Sequence, residues 1–259
     1  MLDNDIRPDP AAFRRRLASR ERLVGTFIKT PTSHTSEIIG DLGFDFIVID
    51  EEHAPFDRVT IDAALLGARA GGTAGIVRVA RPDAANILSA LDDGAIGVLV
   101  PHTASAEKAR QIVAAAHYRG GRRGFSNSPR AGRYGGLALK AHLEAADAQT
   151  TVIAMIEDPE AIEAIDAIVA VQGIDGLFLG RGDLAVAYGA DSMEAPVVRK
   201  AVEHVCAAAR KASVPVCAMV GGAAESGPLA ELGVTAFIVA SDQAFMRRAA
   251  SAALQEFRR

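Results

Sequence analysis

Eight short apolar runs constrain the fold of this chain more than any other feature: each is followed by a polar or glycine-containing turn and then by an alanine-rich stretch of helical pattern. They are LVGTFIK (23–29), FDFIVID (44–50), AGIVRVA (74–80), IGVLVP (96–101), TTVIAMIE (150–157), IDGLFLG (174–180), VPVCAMV (214–220) and VTAFIVA (234–240). Their Val, Ile, Leu and Ala residues run nearly continuously instead of alternating with polar ones, which is the pattern of strands covered on both faces by helices. Helices are expected at 33–42, 83–91, 105–117 and 159–169, where Ser, Asp or Pro opens an apolar periodicity. Eight such units in 259 residues predict an α/β chain folded as a single (β/α)8 TIM barrel over residues 1–259, with a helix ahead of the first strand.

Charge and composition narrow the partners. Lys and Arg total 28 against 32 Asp and Glu, a formal net charge of −4, so the chain lacks the basic surface that draws nucleic acid or anionic membrane. A small-molecule partner is expected. No stretch approaches the roughly 20 apolar residues that span a bilayer, and the N-terminal charges are not followed by an apolar run, which together predict cytoplasmic residence. Cys206 and Cys217 fall in a helical and a buried-strand pattern without metal-type spacing, and both are expected to be reduced core residues.

One segment breaks the rhythm. Residues 118–136, YRGGRRGFSNSPRAGRYGG, hold Arg119, Arg122, Arg123, Arg130 and Arg133 among glycines. Solvated surface or a subunit contact is the expected use, and a grip on an anionic substrate tail the alternative.

Barrel chemistry sits at the C-terminal ends of the strands, so the residues that close each run are the candidates. The runs end at Lys29 and Thr30; at Asp50, Glu51, Glu52 and His53; near Arg78; at Pro101 and His102; at Glu157; at GRGDLA (180–185); and at Ser241 and Asp242. Glu157 and Asp183, from neighbouring strands, are expected to converge. Buried carboxylates are costly unless paired, and a divalent cation compensates them. Two carboxylates completed by water and substrate oxygens are a ligand set suited to Mg2+ or Mn2+. Taken alone, either acid also reads as a cap of the helix that follows it. GRGD, with Gly182, offers free backbone N–H groups where a substrate carboxylate docks, and an α-keto acid satisfies both features. His53, following three acids, suits a general base. Arg78 lies in an apolar strand, where its guanidinium must face the mouth and meet a carboxylate or an enolate oxygen. Asp92 and Asp93 read as a solvated pair.

In that order, VIDEEHAPFD, LVPHTASAEKAR, YRGGRRGFSNSPRAGRYG, MIEDPEAIEAID and IDGLFLGRGDLAVAYG resemble the HpcH/HpaI aldolase family over nearly the whole chain. The resemblance implies a barrel of the phosphoenolpyruvate/pyruvate type and a class II aldolase that reversibly cleaves a 4-hydroxy-2-oxo acid to pyruvate, or a close 2-keto acid, and an aldehyde. It implies a divalent metal (Mg2+ or Mn2+, with Co2+ as a further choice) on Glu157 and Asp183, His53 in proton transfer beside Glu52, Arg78 against the enolate, and Asp92 as partner of His53. It also implies a homohexamer with helices exchanged between barrels. Met155, Glu51 and Ala185 depart from the family pattern, which often has Gln, Gly and Ser there.

Three rival readings remain open at this point. Lys29, at a strand end, is a candidate Schiff-base nucleophile. GRGDLAV also suits another lyase of the phosphoenolpyruvate/pyruvate superfamily. A barrel that binds keto acids without turnover is the third.

Overall fold

The computed structural model describes residues 10–258. Its strands are β1 (Leu23–Ile28), β2 (Phe46–Asp50), β3 (Ala74–Arg78), β4 (Gly97–Val100), β5 (Thr151–Ile156), β6 (Gly176–Leu179), β7 (Val216–Val220) and β8 (Val234–Ser241), each within two residues of its expected run. All pair in parallel and in sequence order, and β8 closes on β1 to make a barrel. The helices are α1 (Phe13–Ala18), α2 (Ser33–Asp41), α3 (Arg58–Gly71), α4 (Ala84–Asp92), α5 (Ala106–Ala116), α6 (Leu139–Gln149), α7 (Pro159–Glu163), α8 (Ile165–Val169), α9 (Arg181–Ala187), α10 (Pro196–Ala212), α11 (Ala223–Glu231) and α12 (Asp242–Phe257). The helix expected at 159–169 is two short ones that meet at Ala164, with buried residues on both sides of the break.

Side chains alternate between the barrel interior and the helical layer because successive Cβ atoms of a strand point to opposite faces. Phe46 and Val48 of β2, Ala74 and Ile76 of β3, and Ile153 and Met155 of β5 share one buried interior cluster. Ile47, Ile49, Val77, Val152 and Ala154 between them belong to a second cluster, beneath the helices. The period of two carries the interior face onward to Asp50, Arg78 and Glu157. Those are the residues at the mouth.

Phe13 and Leu17 of α1 join the interior cluster, with the Phe13 ring centroid 5.2 Å from that of Phe46 at the start of β2 and the rings tilted by 51°. The N-terminal helix thus stoppers the end of the barrel opposite the mouth.

Close helix packing relies on absent side chains. A Cβ at Gly67 of α3 would lie 2.2 Å from the Ser33 carbonyl oxygen, and one at Gly40 of α2 would lie 2.9 Å from the backbone of Gly71. These contacts let α2 and α3 cross nearly backbone to backbone.

The arginine-rich segment connects α5 to α6, a route that begins and ends at the N-terminal side of the strands. It cannot grip a substrate in the mouth of its own barrel. Its arginines meet acids instead: Arg123 is buried and bonds Asp92 at 3.0 Å, Arg130 pairs with Asp62, and Arg119 lies 3.7 Å from Glu144. Cys206 and Cys217 are both free and buried, as expected. No helix among the described residues is long and apolar enough to cross a membrane.

Candidate active site

Strand register places the central ion pair. Asp50 lies opposite Arg78 across β2 and β3, both on the interior face, and the two form a fork-on-fork contact: Nε donates to Oδ1 at 2.8 Å and Nη2 to Oδ2 at 2.7 Å. Lys29, next inward after Phe27 on β1, donates its ammonium to the same Oδ2. The backbone N–H of His53 donates to Asp50 Oδ1 at 3.1 Å. Burial alone would raise the Asp50 carboxyl, but the bonds and charges of Arg78 and Lys29 outweigh it and hold the pKa at about 2. The Arg78 guanidinium also lies 4.9 Å from the Phe27 ring centroid and, through Nη1, 3.3 Å from Glu52. Arg78 is therefore clamped on every side.

Glu52 links this group to two histidines. Its Oε2 is 3.8 Å from His53 Nε2, and its Oε1 is 4.0 Å from His102 Nε2. Both imidazoles are more than half exposed, at 59% and 57% of the side chain. His102 adopts the left-handed region at φ +50°, which aims its N–H at Glu157 Oε1 (2.7 Å) while its ring Nδ1 lies 3.1 Å from Asp158. Burial opposes charge on His102, yet the Asp158 bond and the fields of Glu157, Asp158 and Glu52 raise its pKa above the ordinary value.

Glu157 follows the inward Met155 of β5 and is buried. Burial is the main cause that pushes its pKa up to about 7; the charges of Asp183 and Glu52 add to the rise, against the His102 N–H and ring. Across the β5–β6 pairing stands Gly180, where a Cβ would come within 2.4 Å of Glu157 Cβ and 3.0 Å of Oε2. Only glycine leaves room for that carboxylate. Asp183 differs from the expectation of a buried pair: it is exposed, on the first turn of α9, one residue after the exposed Gly182.

These residues fit a divalent cation. A buried carboxylate pairs with no Lys or Arg in the described residues and has only the half-exposed His102 ring near it, a second acid raises its pKa further, and both acids offer the hard oxygens that Mg2+ and Mn2+ take. Among the described residues no group of three or more His, Cys, Asp and Glu could enclose a metal by itself. Water and substrate would complete the sphere on Glu157 and Asp183.

Several expected site residues have other places. Asp92 is not beside His53 within the chain: it ends α4, at the opposite end of the barrel from the mouth, and its carboxylate is taken by Arg123. Glu51 accepts from the N–H of Ala80 at 3.1 Å, so it braces the loop after β3 instead of adding charge to the mouth. Asp242 accepts from the N–H groups of Lys29 and Thr30, and Ser241 caps α12. Phe27 is a buried residue of β1. Lys29 is bound to the Asp50 carboxylate, so its amine does not stand free in the mouth for Schiff-base chemistry. The missed residues are Asp50 as organiser and Asp158 as anchor of His102. The inward period of β2 was the available signal for Asp50, whereas nothing in the local sequence marked Asp158.

A family model described as HpcH/HpaI aldolase/citrate lyase matches residues 23–248. The 5-keto-4-deoxy-D-glucarate aldolases of Klebsiella pneumoniae and Escherichia coli are each 31% identical over 260 aligned positions, covering all of both chains. Among solved structures, an HpcH/HpaI aldolase/citrate lyase family protein from Burkholderia cenocepacia has a TM-score of 0.91 at 29% identity, covering 96% of this chain and 100% of that one. The citrate synthase SbnG has a TM-score of 0.85 at 30% identity, covering 95% and 96%.

Proposed function

The chain belongs to the HpcH/HpaI aldolase/citrate lyase family, and from that membership we propose how its mouth works: as a class II aldolase that cleaves a 4-hydroxy-2-oxo acid to pyruvate, or a close 2-keto acid, and an aldehyde. The observation that supports the metal-dependent reading is Glu157, a buried carboxylate whose pKa stays raised by burial and by Asp183 although the His102 ring lies 3.5 Å away.

Glu157 and Asp183 would hold Mg2+ or Mn2+, with Co2+ as a further choice. When bound, that ion supplies Lewis-acid polarisation of the 2-oxo group and a seat for the keto acid. The chain's own residues do the rest. Gly182 and Asp183 present first-turn N–H groups of α9 toward the substrate carboxylate. His53, with Glu52 beside it, takes the proton of the C4 hydroxyl; the electron pair of the C3–C4 bond moves to the 2-oxo oxygen, the aldehyde leaves, and a proton returned to C3 completes the pyruvate methyl. The negative charge that develops on the 2-oxo oxygen is met by Arg78, which Asp50 keeps from rotating. Asp92 reaches a His53 only if another copy of the chain supplies it.

A homo-oligomer, a hexamer by family resemblance, is supported by α12. From Met246 to Arg258 every residue is exposed, including Leu254 and Phe257, and beside its first turn an apolar cavity is lined by Ile38, Ile39, Leu42, Phe44 and Phe245. Exchange of α12 between barrels would cover both surfaces. The buried free thiols suit the reducing cytoplasm.

Stripping metal with EDTA is expected to abolish pyruvate release from a 4-hydroxy-2-oxo acid, and added Mg2+, Mn2+ or Co2+ to restore it. Activity indifferent to both treatments would overturn the scheme. The similarity to a citrate synthase favours a second reading, in which the same site runs as a condensing enzyme with a keto-acid acceptor. Product analysis with pyruvate plus aldehyde against pyruvate plus oxaloacetate separates the two.

A further inference from the structure

Two hydrogen-bonding atoms at the mouth, His102 Nε2 and Glu52 Oε1, lie 4.0 Å apart with no direct bond between them. The His102 ring is pinned at one end, because Nδ1 lies 3.1 Å from Asp158 Oδ1 and a carboxylate can only accept, so Nδ1 carries the proton. Its other end, Nε2, is 4.0 Å from Glu52 Oε1, too far for a direct bond. An oxygen placed about 2.8 Å from each atom spans that separation. A hydroxyl suits the position in either state of the ring: it donates to Nε2 of the neutral imidazole, or accepts from Nε2–H while donating to Glu52.

Charge points the same way. Of the cations at the strand ends, Lys29 and Arg78 are bound to Asp50, Arg78 also touches Glu52, and Arg181 lies within 3.8 Å of Glu194 and 3.7 Å of Glu225, while Arg81 is exposed on the loop after β3. Against them stand Glu52, Glu157, Asp158 and Asp183. A divalent ion on Glu157 and Asp183 would leave Glu52, beside Arg78, and Asp158, beside His102, as the acids that flank the gap. A second carboxylate on the substrate would enter a field of its own sign.

We infer that the aldehyde half of the substrate is an uncharged hydroxyaldehyde, recognised through a hydroxyl between His102 Nε2 and Glu52 Oε1, and that His102 determines this specificity. The inference rests on the aldolase reading above. The neutral ligand leaves no charge unpaired, and the hydroxyl fills two polar atoms that a plain alkyl aldehyde would strand.

The test uses the whole chain with Mg2+ and pyruvate. Exchange of the pyruvate methyl protons in deuterium oxide is measured first, since it reports the aldolase half-reaction without any aldehyde. Then kcat/KM is compared for glyceraldehyde, propanal and succinic semialdehyde. Glyceraldehyde is expected to exceed the semialdehyde by about tenfold or more, the worth of one good hydrogen bond. His102→Ala is expected to lower the ratio of glyceraldehyde to propanal by about tenfold, again one hydrogen bond. Taking a ratio within one variant cancels any damage to Glu157 or to folding, and His102→Phe, which keeps the ring's bulk, should lose the same ratio. A preference for the semialdehyde, or a ratio unmoved in both variants, overturns the inference while leaving the aldolase reading intact. Absence of methyl exchange overturns both.

Discussion

Asp50 shows how much one side chain can organise. It is fully buried, yet it binds Arg78 through two bonds, takes the Lys29 ammonium and accepts the His53 N–H, so it orients a guanidinium and an imidazole loop together. Asp50→Asn would leave Arg78 short of charge in a buried place, and removing one partner of such a pair costs about 3–5 kcal/mol. Urea unfolding is expected to show a loss of that order, with kcat reduced as Arg78 loses its fixed orientation. A loss below about 1 kcal/mol would deny the pair its organising role. Glu157 supplies the pH dependence. Its carboxyl is pushed up to about 7, chiefly by burial, and a metal ion must take it as the carboxylate. Below that pH the ion has to displace a proton, so Mn2+ affinity should fall about tenfold per pH unit and level off above it. Titration calorimetry between about pH 5.5 and 8.5 checks this; a flat profile would remove Glu157 from the ligand set.

At the scale of elements, the strands were legible because burial on both faces demands continuous apolar runs, and their polar ends followed from the same count. The helices were legible at their starts, where Asp83 and Ser105 accept the N–H groups of Asn86 and Lys108. Helix packing was not legible. Nothing in the local sequence accounts for Gly40, Gly67 and Gly71, and the close approach of α2 and α3 explains them. A methyl group at Gly67 would have to push the Ser33 backbone away, so Gly67→Ala is expected to cost about 3 kcal/mol, at the upper end of overpacking effects. For a chain of this size that lowers the melting temperature by roughly 6–12 °C. Thermal unfolding measures it, and an unchanged midpoint would show that α2 and α3 can separate freely. The arginine-rich segment cannot grip a substrate in the mouth of its own barrel for a topological reason: it precedes a strand instead of following one, and three of its five arginines meet Asp92, Asp62 and Glu144.

For the whole molecule, the exposed length of α12 is the dominant fact. Its apolar residues Met246, Leu254 and Phe257 are exposed among the described residues, which is costly for a helix in water unless another surface meets it. Truncation before Met246 is expected to convert an oligomer into smaller species by light scattering and to lower activity with it. A full-length chain that runs as a monomer at micromolar concentration would refute the exchange.

The amino-acid sequence by itself determined the barrel, its strand order and the candidate metal acids, because parallel strands buried on both faces leave a periodic signature and chemistry collects at their ends. Only the tertiary structure decided which polar residues share the mouth. Glu51, Asp242 and Asp50 all stand at strand ends, yet one braces a loop, one caps a turn and one organises the site. Whether a carboxylate meets a backbone N–H or a guanidinium depends on register across neighbouring strands, a relation between segments that no single segment encodes.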